Sequence, residues 1–98
     1  MTISIDKIED AMTITLEGRL DTESAPELDK IVETELEGIK TLVFDMKGLE
    51  YISSSGIRVI LKAQKTMNNQ GVMKLTNVND TVMEVFDITG FLDILTIE

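Results

Sequence analysis

The chain has 98 residues, with 18 Asp or Glu against 9 Lys or Arg (formal charge −9), 43% hydrophobic residues, and no Cys, His or Trp. That length predicts one domain over residues 1–98. The missing residue types exclude disulfides, thiolate nucleophiles, cysteine metal sites, and any hydrolase built on an imidazole base.

Net acidity speaks against nucleic acid as a partner, because phosphate contacts require clustered Lys and Arg. No apolar run approaches the roughly 18 residues of a membrane span. The opening residues Met1–Asp10 lack a signal peptide's basic and apolar regions. The expectation is a cytoplasmic protein with no membrane insertion. The acidity is uneven: residues 1–50 carry 13 acids and 5 bases, residues 51–98 carry 5 and 4.

In chain order, Ile3 and Ile5 alternate with polar neighbours and predict a short strand. Met12 to Glu17 alternate again, and the acidic Glu9-Asp10 between them predicts a hairpin. Gly18-Arg19-Leu20-Asp21 is expected to lead out of the second strand. Ser24 and Glu27 have capping-box spacing, and Pro26 fits a first helical turn. Leu28, Ile31, Val32 and Leu36 follow at helical spacing, with Gly38 as a stop. Thr41-Leu42-Val43-Phe44 reads as a strand buried on both faces. Asp45 to Gly48 is expected to turn, with Leu49 to Ile52 a loop.

A second helix is predicted from about Gly56 through Met67, marked by Ile57, Ile60, Leu61 and Ala63. Val72 to Thr76 predicts a strand. Asn79 or Asp80 can cap a short third helix holding Val82, Val85 and Phe86, and Ile94, Leu95 and Ile97 predict a last strand. The order β-β-α-β-α-β-α-β indicates an α/β domain with helices over a mixed, mostly parallel sheet. The methionines read as core filler, with Met46 partly exposed.

The chemistry concentrates in Tyr51-Ile52-Ser53-Ser54-Ser55-Gly56-Ile57. Three hydroxyls stand where a loop meets a helix, and free N–H groups there favour an anion. A serine so placed can receive a phosphoryl group or simply cap the helix. Gly56 would leave room for a partner's backbone. Arg58, Lys62 and Lys65 form a basic stripe along the second helix, either a docking surface or a solvated face.

Three blocks then resemble the STAS domain family, and within it the bacterial anti-sigma factor antagonists. They are Glu17-Gly18-Arg19-Leu20-Asp21-Thr22-Glu23-Ser24-Ala25-Pro26-Glu27-Leu28; Leu42 through Asp45 to the serine loop; and Val85-Phe86-Asp87-Ile88-Thr89-Gly90-Phe91. Together they cover essentially the whole chain. The resemblance implies a binding switch rather than an enzyme, with no metal or cofactor: the protein binds a serine kinase that is also an anti-sigma factor, is phosphorylated by it on one serine, and is reset by a serine phosphatase. The family's acceptor typically follows an Asp. Aligned on Gly56, the acceptor falls on Ser54, and Ser53 stands in the Asp position, which leaves Ser53 and Ser55 as rivals. Ser53, Ser54, Ser55, Gly56 and Arg58 are then partner-binding residues, Arg58 also as a clamp for the phosphate. Asp21 is either a partner contact or a turn residue.

Two alternatives accompany this reading. A receiver-like domain would accept phosphate on Asp45 at a strand end, but it needs an acidic pair for Mg²⁺, and Glu9-Asp10 lies in the hairpin. A STAS domain can also serve as a non-switching scaffold or a subunit of a transport or stress-signalling complex.

Overall fold

Ile14, Phe44 and Leu75 stand side by side on neighbouring strands, all fully buried, and this rung is the centre of the core. Each such side chain contributes roughly 1.5–3 kcal/mol on leaving water. The computed structural model describes residues 1–98. In it four strands lie in the order β1 (Thr2–Ile8), β2 (Ala11–Leu20), β3 (Thr41–Ile52), β4 (Val72–Thr76). β1 is antiparallel to β2, and β2, β3 and β4 are mutually parallel. The connecting helices are α1 (Ala25–Glu35), α2 (Ser54–Asn68) and, after β4, α3 (Asp80–Ile88). The α/β architecture with a mixed, mostly parallel sheet is the one the sequence predicts.

One face of the sheet is buried: Met12, Ile14 and Leu16 on β2, Leu42, Phe44 and Met46 on β3, Met73 and Leu75 on β4. Leu28 and Val32 of α1, Ile57, Ile60 and Ala63 of α2, and Val82 and Phe86 of α3 complete that core. Thr13, Thr15, Val43, Asp45, Lys74 and Thr76 alternate onto the other face and stay half-exposed. The third strand is therefore covered on one side only, not on both. Met46 is fully buried rather than partly exposed.

Several predicted boundaries shift. β2 runs on through Gly18-Arg19-Leu20, because Leu20 is buried and pairs with Ile52. β3 likewise continues to Ile52, absorbing the predicted turn and loop. Its register against β2 slips twice, so that Thr15 faces Asp45 but Glu17 faces Gly48, and Gly18 faces Leu49 but Arg19 faces Tyr51. Each slip is a bulge with one extra residue on β3. Inward residues consequently fall at 42, 44, 46, 49 and 52, a spacing that no longer alternates and so does not read as a strand.

The last predicted strand is reduced to a single parallel bridge between Ile97 and Leu75. Leu95 fills the core edge, but Thr96–Glu98 reach β4 through only two backbone bonds, so a full ladder does not form. No helix is long and apolar enough to cross a membrane.

Candidate functional site

β2 and β3 end together, and the serine loop grows out of their paired ends. Ser53 N–H donates to the Leu20 carbonyl at 2.9 Å, tying the start of α2 to the end of β2. Ser53 has extended dihedrals (φ −96°, ψ 175°), and its Oγ accepts from the Gly56 N–H at 3.4 Å, so it is the N-cap. Ser54 and Ser55 open the helix. Ser55 Oγ lies 3.3 Å from the Thr22 hydroxyl, which joins α2 to the loop before α1. Ser54 is exposed, and its hydroxyl has no hydrogen bond within the chain.

Gly56, expected to leave room for a partner's backbone, is buried against its own chain. A Cβ there would come 2.7 Å from Leu20 Cγ and 2.9 Å from both the Leu20 carbonyl oxygen and Ile52 Cγ1. The glycine lets α2 seat on the β2 and β3 ends of its own chain.

Asp21 adopts the turn role. Its Oδ1 accepts from Glu23 N–H at 3.1 Å and Ser24 N–H at 3.2 Å. The bond from the Ser24 backbone is the main reason its carboxyl is held below the ordinary carboxylate range, and Arg19, 3.9 Å away, adds to it. Ser24 is thereby diverted from the predicted capping box. Its φ and ψ are helical (−94°, −23°), and its Oγ donates to the Arg19 carbonyl at 2.7 Å instead of reaching the amide of Glu27.

The basic stripe does not act as a unit. Lys62 is taken up by α1, 2.9 Å from Asp29 and 2.5 Å from Glu33, and these partners, Glu33 first, raise its pKa. Arg58 is exposed and in no ion pair. It stands between two shallow grooves. One, toward α1, is lined by Thr22, Pro26 and Ser55; the other, toward the chain's end, by Ser54, Ile57, Leu61, Thr89 and Phe91.

One feature beside the loop has no counterpart in the sequence reading. Tyr51 is 36% exposed, and the Arg19 guanidinium lies 4.3 Å from its ring centroid. The two residues are cross-strand partners, visible only once β2 and β3 are known to extend this far and to slip in register.

Asp45 is inside β3 and not at a strand end, which removes the receiver-like reading. It faces the open side of the sheet. Its Oδ1 accepts from Asn77 Nδ2 at 3.0 Å and from Lys47 N–H at 3.1 Å, pinning the first bulge. Those bonds, Asn77 first, lower its pKa.

An exposed hydroxyl therefore stands at the N-terminus of α2, beside the paired ends of β2 and β3. The STAS domain family matches residues 2–98. The chain is 33% identical to the BtrV protein of Bordetella bronchiseptica, over 99% of this chain and 85% of that one. It is 32% identical to the anti-sigma-B factor antagonist of Bacillus subtilis, over 99% of this chain and 92% of that one. Among solved structures, the anti-sigma factor antagonist SpoIIAA in its unphosphorylated form superposes with a TM-score of 0.83, 21% identity, and coverage of 99% and 88%. An anti-sigma factor antagonist from Mycobacterium paratuberculosis gives 0.87, 14%, 98% and 83%, which shows the shared fold. The chain belongs to the STAS domain family, among its anti-sigma factor antagonists. These are regulatory, non-catalytic proteins that work by partner switching.

Proposed function

We propose that this protein binds a serine kinase that is also an anti-sigma factor, and that phosphorylation of Ser54 by that kinase ends the complex until a phosphatase restores the hydroxyl. The observation that carries the reading is the unequal state of the three serines. Ser53 Oγ is used as a cap and Ser55 Oγ is engaged with Thr22, whereas Ser54 Oγ is exposed and free to attack. Ser53 replaces the carboxylate that relatives of this kind typically carry, yet it keeps the capping bond that such a carboxylate would make.

A phosphate on Ser54 adds roughly −1.5 to −2 charges at the first residue of α2, where the helix dipole and Arg58, one turn on, favour it. The unmodified hydroxyl lets a partner close over the β2–β3 ends. The dianion must be desolvated for the same approach, so docking weakens. Asp21, Tyr51 and Arg58 border the surface that a partner would cover.

The test is a reaction with the cognate kinase and ATP, followed by peptide mapping of residues 51–58. Incorporation is expected in wild type, Ser53→Ala and Ser55→Ala, and none in Ser54→Ala. Ser54→Ala should stay bound to the kinase and Ser54→Asp should bind at least about tenfold more weakly. Undiminished incorporation in Ser54→Ala, or equal affinities for all three proteins, refutes the assignment. No incorporation in wild type would favour the scaffold reading.

A further inference from the structure

The two edges of the sheet are finished differently. At the outer edge of β4, Leu75 N–H donates to the Thr96 carbonyl and Glu98 N–H to the Leu75 carbonyl, both at 2.9 Å, and Lys74 pairs with Glu98 at 3.1 Å. Nothing comparable closes β1. Its seven residues pair with β2 without a register slip, and apart from that ladder no hydrogen bond in the chain involves the backbone of residues 2–8. The strand contains no Pro and no bulge; of the devices that commonly blunt an exposed edge it carries only charge, in Asp6 and in Lys7 opposite buried Met12. Ile5, opposite buried Ile14, is 43% exposed, and Ile8 is 67% exposed.

We propose that β1 is a docking edge, to which a partner protein adds an extended, basic segment as a fifth strand. Backbone pairing supplies the affinity in such a mode, and alternate side chains supply the specificity. Apolar side chains of the guest would cover the exposed flank of Ile3 and Ile5. The electrostatic surroundings select the sign of the guest. Asp6 and Lys7 offset each other on the strand, but Glu9 and Asp10 stand at its end and Glu17 opposite Thr2, while Glu23 and Glu27 share a cleft with Met1 at its start. Arg19, in the same cleft, is already engaged with Tyr51 and Asp21. A second copy of this chain is the wrong guest. An antiparallel pairing of β1 with itself would bring Glu9 and Asp10 of each copy toward Glu17 of the other, across about a Debye length of 10 Å. Seven paired residues span about 23 Å, which sets the length of the guest.

The test uses the isotope-labelled full chain and a synthetic peptide of roughly nine residues alternating Lys and Val. The controls are its Glu–Val counterpart and the same Lys–Val peptide N-methylated at alternate backbone nitrogens. The Lys–Val peptide is expected to shift amide resonances of Thr2–Ile8 and the adjoining acids, and to slow exchange of alternate β1 amides at least about tenfold. Its affinity should fall about threefold or more in Asp6→Lys, and likewise between about 50 and about 300 mM NaCl. Ser54→Ala should bind it as wild type does, which separates this edge from the serine switch. The proposal is overturned by no binding at millimolar peptide, by equal binding of the N-methylated or the Glu–Val peptide, or by shifts centred on β4 or α2. Sedimentation showing that the chain dimerises through β1 would overturn it as well.

Discussion

Adding one methyl group at Gly56 tests whether that glycine serves the fold or a partner. In Gly56→Ala the new Cβ would meet Leu20 Cγ at 2.7 Å, with Ile52 Cγ1 and the Leu20 carbonyl oxygen at 2.9 Å. Relaxed carbon–carbon contacts lie at about 3.5–4.0 Å, so the overlap is roughly 0.8 Å or more. Leu20 and Ile52 are buried and paired with each other, and the Leu20 carbonyl already accepts from Ser53, so neither neighbour can move freely. Overpacking of this kind costs about 1–3 kcal/mol. Replacing a helical Gly by Ala returns about 1 kcal/mol of helix propensity. Contact with backbone places the overpacking near its upper bound, leaving a net loss of about 1–2 kcal/mol. For a domain of this size that is a fall in Tm of roughly 5–15 °C. Thermal unfolding followed by circular dichroism measures it. A variant as stable as wild type that has nonetheless lost its kinase partner would refute this argument, because the glycine would then be kept for the partner's approach.

Two further outcomes follow from the same geometry. Ser53→Ala removes the α2 cap and should cost about 0.5–1 kcal/mol, the low end because the bond is long at 3.4 Å, whereas Ser53→Asp keeps an acceptor and adds a charge favourable to the helix dipole. Urea unfolding should rank Asp at or above wild type and Ala below it; Asp ranking below Ala would contradict the capping role. Asp45→Asn keeps both acceptor bonds but removes the charge. The native pKa of Asp45 is lowered, so its contribution is fully present above the unfolded value of about 3.9 and is lost as pH falls through the native value. The urea midpoints of the two proteins should differ at about pH 7 and draw together as pH falls below the native value. A gap that persists or widens in acid excludes this linkage.

Much of the site was legible in the residues themselves. Three consecutive hydroxyls before a helical pattern locate an N-terminus, because capping is a local property of Ser and of free amide groups. The cap of α3 was legible to within one residue, as Asn79 or Asp80, and it is Asn79 whose Oδ1 accepts from Val82 N–H at 2.9 Å. The Ser24–Glu27 spacing failed, although it has the same form, because Asp21 and the Arg19 carbonyl compete for the Ser24 groups. The rule is local and the competition depends on how β2 ends. Likewise the lysine stripe could be read on one helix, but the capture of Lys62 by Asp29 and Glu33 needs α1 beside α2.

By itself the sequence determined the order of elements up to the third helix, the lack of Cys and His chemistry, and the place where three hydroxyls open a helix. Those follow from side-chain period, residue types and local capping, none of which needs a neighbour. Only the tertiary structure decided which of three adjacent hydroxyls is free, why Gly56 must be Gly, that two bulges carry β3 up to the serine loop, and that the final strand shrinks to one bridge. Each of these depends on a contact between segments far apart in the chain — Leu20 with Ser53 and Gly56, Thr22 with Ser55, Ile97 with Leu75 — and such contacts have no signature in the period of either segment alone.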